Sequence, residues 1–410
     1  MTLADPARLP AQAVPLRQTA GVTVLTGVTG LSLLCWLWLT CCQGLFWRTD
    51  LRLPPDRTDP DRPPEVAIVV PARDEAAVLP LSLPGLLGQK YLGRARVILV
   101  DDHSSDGTAQ VARELAAEIP DGLPLTVTTP PPLPAGWTGK LWAVRHGVEL
   151  ACETGDVELL LLTDADIAHG PQTLAALVAG AQAQGLDLVS QMARLRTETG
   201  WERLIVPAFV YFFAQLYPFR RSNHPGSRTA AAAGGCSLVR RAALERAGGV
   251  AAIRGAVIDD VSLARAVKRA GGRTWLGLAE RTETLAVRSV RPYPGLAPLW
   301  RMVSRSAYAQ LRHSPPLLLG TVLGLALIYL VPPVATVAGL ATGAWPLLAT
   351  GAAAWALMTA TYLPMTRYYD RPAPAALLLP FTALLYLLMT VDSAVQHYRG
   401  RGAAWKGRTY

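Results

Sequence analysis

Long uncharged runs at the two ends of the chain enclose a segment in which short apolar stretches alternate with amphipathic ones. Residues 18–47 carry no charged side chain, and 21–46 form one apolar run. A bilayer core is spanned by about 20 apolar residues, so an anchor is expected at 21–47. The run is too long for a cleaved signal peptide, and no A-x-A site follows it. A second uncharged stretch covers 315–366, long enough for passes at 317–340 and 345–364, and a further apolar run covers 374–395. Between the ends, apolar runs at 65–71, 95–100, 123–128, 156–163 and 186–192 read as strands. Helical patterns at 105–117, 140–152, 172–184 and 261–270 follow or separate them. This alternation predicts an α/β fold with a doubly wound, mostly parallel sheet, whose ligands bind at the carboxyl ends of the strands. The expected layout is a tail at 1–20, an anchor at 21–47, a Pro-rich linker at 48–64, an α/β domain at 65–294, an interfacial amphipathic helix at 295–314, a membrane region at 315–396 and a basic tail at 397–410.

Composition supports this division. Hydrophobic residues make up 51% of the 410 and charged residues 17%, which excludes a disordered chain and fits poorly with a fully soluble enzyme. The net charge of +9 suits anionic lipid, a phosphorylated substrate or nucleic acid. Much of it gathers in 296–312 (Arg301, Arg305, Arg312) and in the tail (Arg399, Arg401, Lys406, Arg408). These positions point to an anionic lipid surface. No stacking platform or RNA motif calls for nucleic acid. The five cysteines form no CxxC pair, so neither a zinc site nor a disulfide framework is expected. Trp47, Arg48 and Arg52 mark the cytoplasmic end of the anchor. Three C-terminal passes would then put the basic tail on the opposite side. Either one segment is re-entrant or interfacial, or the tail breaks the positive-inside rule. The aromatic segment 201–219, interrupted by Pro207 and Pro218, reads as an interfacial helix in preference to a buried one.

Acids collect where strands end or helices begin: Asp101 and Asp102, Asp164 and Asp166, Asp259 and Asp260. Any single pair is matched by ordinary capping or turn chemistry. Three pairs packed together would repel unless a cation or a proton relieved them. Carboxylate and water ligation suits Mg²⁺ or Mn²⁺, which usually takes one or two carboxylates plus substrate phosphates. A nucleotide-diphosphate substrate follows from this. No GxxxxGK[ST] or strand-borne GxGxxG cradle is present, so metal, basic side chains and helix N-termini must hold the diphosphate.

The strings Pro71-Ala-Arg-Asp-Glu75, Val100-Asp-Asp-His-Ser-Ser-Asp-Gly-Thr108, Thr163-Asp-Ala-Asp166 and Asp259-Asp260 resemble, in type and order, family 2 glycosyltransferases of the GT-A fold. The resemblance covers roughly residues 65–314, and within the family it is nearest the hopene-associated glycosyltransferases and ceramide glucosyltransferase-like enzymes. The resemblance implies that Pro71, Arg73 and Glu75 line the nucleobase and ribose pocket, where the family often has Asn in place of Asp74. It implies that Asp102 contacts base or ribose, that Asp164 and Asp166 form the DxD motif with Asp166 the metal ligand, and that Asp260, preceded by Asp259, is the general base. Lys140, in Gly136-Trp-Thr-Gly-Lys140, is expected near the diphosphate or base; a solvated loop lysine reads equally well. Gly234, Gly235 and Cys236 correspond to the floor of the acceptor pocket. Arg305 takes the arginine place of the family's (Q/R)xxRW motif, while Met302 and Ser306 depart from it. The missing Trp argues against a processive polymerase.

The expected activity is therefore divalent-cation-dependent, inverting transfer of one sugar from a nucleotide-diphosphate donor, UDP-linked, to a membrane lipid hydroxyl. Hopanoid, carotenoid and sphingolipid-like acceptors all fit, and the setting is the cytoplasmic membrane with the α/β domain facing the cytoplasm. The alternatives are a polyprenyl-phosphate glycosyltransferase and a non-catalytic membrane scaffold that binds nucleotide sugar.

Overall fold

Strand β1 (Val66–Ala72) is buried along its whole length, as expected of a continuous apolar run at the centre of a parallel sheet. The computed structural model describes residues 16–55 and 57–400, with the backbone of 404–405 and 408–409. β1 lies between β2 (Ala95–Asp101) and β4 (Leu159–Leu162), parallel to both, and β3 (Leu125–Thr128) flanks β2. β6 (Leu188–Met192), β7 (Ser237–Arg240) and β8 (Thr274–Leu278) complete a seven-stranded sheet in the order β3-β2-β1-β4-β7-β6-β8. β7 alone runs antiparallel to its neighbours β4 and β6. A separate antiparallel ribbon joins β5 (Ile167–His169) to β9 (Val287–Ser289). The mostly parallel α/β sheet expected from the alternating pattern is thus present, and β5 and β7–β9 are additions to it.

Local chemistry moves some boundaries. The helix expected from 105 starts at Thr108, because Gly107 turns the chain at φ +85°. Asp106 gives its carboxylate to the N–H of Ala76 (3.0 Å) and of Thr108 (3.1 Å). The aromatic segment forms the helix Gly200–Leu216, started by a capping box between Thr199 and Glu202. Ile205, Val206, Ala208, Val210 and Tyr211 are fully buried in a core shared with the C-terminal helices. The Tyr211 hydroxyl meets Thr361 Oγ1 at 2.8 Å, and the Phe212 ring packs edge-on to Tyr329 and Tyr386. This corrects the interfacial reading: most of the apolar surface is buried inside the protein.

Among the described residues four helices are long and apolar enough to cross a membrane: Gly21–Cys42, Pro315–Thr342, Trp345–Tyr368 and Ala373–Tyr398. The second contains a π-turn at Ala326–Leu330, just before Pro332 and Pro333. There the Val331 N–H bonds Ala326, and Pro332 has no N–H to offer. The N-terminal helix supplies the missing donors. Ser32 Oγ donates to the Leu327 carbonyl at 2.7 Å and Trp36 Nε1 to that of Ile328 at 2.8 Å. Such replacement is what an apolar environment demands of a broken helix.

The membrane region is tied to the sheet domain at Asp370, a non-glycine residue at φ +54° that receives the guanidinium groups of Arg194 and Arg281. Ala373–Tyr398 begins just beyond that turn. At its far end His397 stacks on His313 at 4.2 Å, and the Tyr398 and Tyr308 hydroxyls meet at 2.9 Å. Helix Leu296–Gln310 packs along it, burying Leu299, Val303 and Tyr308. Arg301 and Arg305 stay exposed on the other face, the amphipathic arrangement that the sequence predicts.

Candidate active site

Past β1 the chain turns through Asp74, held at φ +50°. The loop after β2 supports this turn. The Asp74 N–H donates to Ser104 Oγ (2.9 Å) and the Glu75 N–H to Thr108 Oγ1 (2.9 Å). Asp74 Oδ1 accepts from the N–H (2.9 Å) and hydroxyl (3.2 Å) of Ser105. A carboxylate is well suited to accept both, which accounts for Asp at 74. The Asp102 carboxyl is almost fully buried; Arg73 donates to its carbonyl at 2.6 Å and lies 3.6 Å from its carboxylate. The Pro71–Glu75 turn and Asp102 are therefore held together.

β4 delivers the second acidic turn. Thr163 Oγ1 donates to the Gly235 carbonyl at 2.7 Å, tying Asp164 to the 234–236 segment. Lys140, in the first turn of helix Gly139–Glu153, bridges Asp164 Oδ1 (2.7 Å) and Asp259 Oδ2 (2.9 Å). Asp260, in the first turn of helix Asp259–Arg269, accepts from the N–H of Gly234 (2.9 Å) and of Val261 (2.7 Å). Gly234 faces all of these groups: a Cβ there would lie 3.4 Å from Lys140 Nζ, 3.6 Å from Asp164 Oδ2 and 3.7 Å from Asp260 Oδ2. Leu141, Val144, Val250, Ile253 and Leu263 form the apolar wall of this cleft.

Three carboxylates share the cation Lys140 here, and the proton affinities of Asp164 and Asp260 respond to this. Burial pushes the Asp260 carboxyl up to about 7, helped by Asp259 and opposed by Lys140 and the two backbone N–H groups. Burial also raises Asp164, with Asp166 and Asp259 adding to the effect against the pull of Lys140. Burial disfavours the Lys140 charge, but Asp164 and then Asp259 outweigh it and hold the proton more tightly than usual.

Asp166 faces a different group. Its Oδ2 accepts from Arg291 Nε at 2.9 Å and Ser289 Oγ at 3.1 Å. The same guanidinium reaches both carboxylate oxygens of Glu75, at 2.8 and 2.9 Å. The sequence reading missed Arg291 and Ser289. Their signal was the alternation Val287-Arg-Ser-Val-Arg291, a three-residue strand too short to stand out from a loop. Arg305 is exposed and makes no ion pair among the described residues, although its charge reaches the Tyr293 phenol. The cation in contact with Asp166 is thus Arg291. Cys236 is fully buried, with burial pushing its thiol up to about 12, and so is unsuited to nucleophilic work.

Among the described residues no three His, Cys, Asp or Glu side chains gather to hold an ion by themselves. Asp164 and Asp166 nevertheless project from one short turn, and their oxygen chemistry fits Mg²⁺ or Mn²⁺ completed by a diphosphate.

Known proteins share this fold. A mannosyltransferase from Pyrobaculum calidifontis, solved in complex with GDP-Man and Mn²⁺, superposes with a TM-score of 0.53 at 23% identity, covering 92% of this chain and 98% of that one. The shared fold is GT-A. The undecaprenyl-phosphate 4-deoxy-4-formamido-L-arabinose transferase of Aeromonas hydrophila is 32% identical over 148 residues, which span 34% of this chain and 39% of that relative. Residues 63–305, more than half of the chain, match the family described as glycosyltransferase like family 2. The acidic turns and the sheet that carries them lie inside that match, and the chain belongs to glycosyltransferase family 2.

Proposed function

We propose that this glycosyltransferase moves one sugar from a nucleotide-diphosphate donor, UDP-linked, to the hydroxyl of a membrane lipid, with inversion at the anomeric carbon. Hopanoid, carotenoid and sphingolipid-like acceptors suit it, and the reaction takes place at the cytoplasmic face of the inner membrane. The observation that carries this reading is Asp260, a carboxylate tuned to about 7 at the floor of the cleft beside Gly234. A base with that affinity is matched to removing a hydroxyl proton near neutral pH. The surface of Pro71, Arg73, Glu75 and Asp102 holds the nucleoside, and Lys140 lies where the diphosphate enters. Asp260 takes the acceptor proton as the hydroxyl oxygen attacks the anomeric carbon opposite the departing diphosphate. One displacement inverts the centre and needs no covalent intermediate. Asp166 and Asp164 would hold the divalent cation, which would supply positive charge for the leaving diphosphate. The missing aromatic residue at Ser306 supports single transfer over polymerisation.

A second reading, transfer to a polyprenyl phosphate, is favoured by the undecaprenyl-phosphate transferase among the relatives. A phosphate acceptor is already ionised and needs little help from a base. Mass spectrometry of lipids from cells with and without the protein, paired with turnover of Asp260→Asn, separates the two. The hydroxyl reading expects a neutral lipid gaining one hexose-sized increment and a crippled variant. A glycosylated polyprenyl phosphate made by a near-normal variant would replace it, and a ladder of increments would exclude single transfer.

A further inference from the structure

Arg291 has no place in the chemistry above, yet it is the best-bound cation in the cleft. Its guanidinium takes both oxygens of Glu75 and one of Asp166, and a second donor, Ser289, holds that same Asp166 oxygen. The Glu75 carboxylate is buried, and the Arg291 side chain is about 28% exposed. The backbone reinforces the arrangement: the Val290 N–H donates to the Asp166 carbonyl at 2.8 Å. The short β5–β9 ribbon therefore carries Arg291 to the turn that bears the proposed metal ligands.

Two consequences follow from charge alone. A divalent cation arriving by itself at Asp166 meets a guanidinium within ion-pair reach, so its binding to the donor-free protein is opposed. A cation arriving with a nucleoside diphosphate brings phosphate oxygens, to which a guanidinium binds bidentately at least as well as to carboxylate. We propose that Arg291 is a placeholder cation: it occupies Asp166 and Glu75 until the metal–nucleotide pair enters, then transfers to the diphosphate, so that metal and donor bind only as a pair. This rests on the proposed metal-dependent reading and adds to it an ordering of the binding steps and a further donor-contacting residue.

Mn²⁺ affinity of the purified full-length protein, measured by electron paramagnetic resonance with and without UDP or GDP, tests the idea. In the parent protein either nucleotide that binds should tighten Mn²⁺ by about tenfold or more, within the usual range of coupling between sites. Arg291→Gln should bind Mn²⁺ more tightly than the parent in the absence of nucleotide, bind UDP or GDP more weakly, and lose most of the coupling. Arg291→Lys, which keeps the charge without the fork, should retain weak metal binding and lose part of the nucleotide affinity. If Arg291→Gln does not fold, as judged by circular dichroism, the parent coupling and Arg291→Lys decide the matter. Mn²⁺ binding that is equally strong with and without nucleotide, or is unchanged or weaker in folded Arg291→Gln, overturns the placeholder role and leaves the enzyme reading standing. No Mn²⁺ binding under any of these conditions overturns the metal-dependent reading and the placeholder role together.

Discussion

Two residues, Asp260 and Gly234, meet in the cleft. Asp260 is held by two backbone N–H groups. Asn at 260 can accept only one side's worth of those bonds, so Asp260→Asn should cost about 1 kcal/mol of stability as well as activity. A general base contributes about 10²–10⁴-fold to rate, which is about 3–5 kcal/mol of barrier at 1.36 kcal/mol per tenfold. The expected result is a folded variant with turnover reduced by that factor and nucleotide affinity nearly unchanged; near-normal turnover would shift the role to Asp259. The pH profile gives a second check. Asp260 works ionised, and burial with Asp259 holds it up to about 7 against Lys140. Turnover should therefore rise with pH through an inflection near that value, and the inflection should vanish in Asp260→Asn. Gly234 gives a third. A Cβ there fits at ordinary contact distances from Lys140, Asp164 and Asp260, so Gly234→Ala should change stability by no more than about 0.5 kcal/mol. It would also fill the space where donor and acceptor meet. Stability from denaturant melts should hold while turnover falls; normal turnover would remove Gly234 from the acceptor floor.

At the scale of elements, the placement of helix Ala373–Tyr398 bears on which side of the membrane its far end reaches. One end follows Asp370, which is bound by Arg194 and Arg281 of the sheet domain. The other packs on His313 and Tyr308, beside Gln310, which donates to Tyr217. Tyr217 in turn senses the charge of Asp260. Both ends therefore lie on the side of the catalytic cleft, so we expect this helix to lie in or re-enter the membrane without crossing it. The chain at Arg399 would then lie on the side of the sheet domain, as the positive-inside rule expects. Single cysteines test this in a background lacking exposed Cys41 and Cys42. Arg399→Cys should react with an impermeant maleimide from the same side as Arg113→Cys on the sheet domain, and Thr342→Cys from the opposite side. Labelling of Arg399→Cys together with Thr342→Cys would mean that the helix crosses after all.

Across the whole molecule, one edge of the sheet (Met192, Leu276, Leu278) shares a core with the apolar helices, in which the helix Gly200–Leu216 packs against Trp345–Tyr368, Ala373–Tyr398 and Leu296–Gln310. The cleft is thus fixed relative to the apolar helices, as access to the proposed lipid acceptor would require. Metal dependence belongs to this scale, because a diphosphate brought beside the acidic turn would need a cation to offset the repulsion between them. Turnover should stop in excess chelator and return with Mn²⁺ or Mg²⁺, and full activity in chelator would exclude the cation. Much of this was legible in residue order. Apolar runs show their length and their alternation with helices without reference to anything distant, so the parallel sheet and the long apolar helices follow from pattern. The acidic pairs were visible because strand ends are where such sheets bind ligands. Folding decided what depends on partners remote in sequence. Lys140 gains its meaning only when Asp164 and Asp259 meet it, and Asp260 is tuned by burial that no neighbour in sequence predicts. Arg291 became the cation at Asp166 because β9 pairs with β5, more than a hundred residues earlier. The aromatic helix 200–216 was read as interfacial because its composition suits either lipid or protein, and only tertiary packing determines which of the two covers an apolar face.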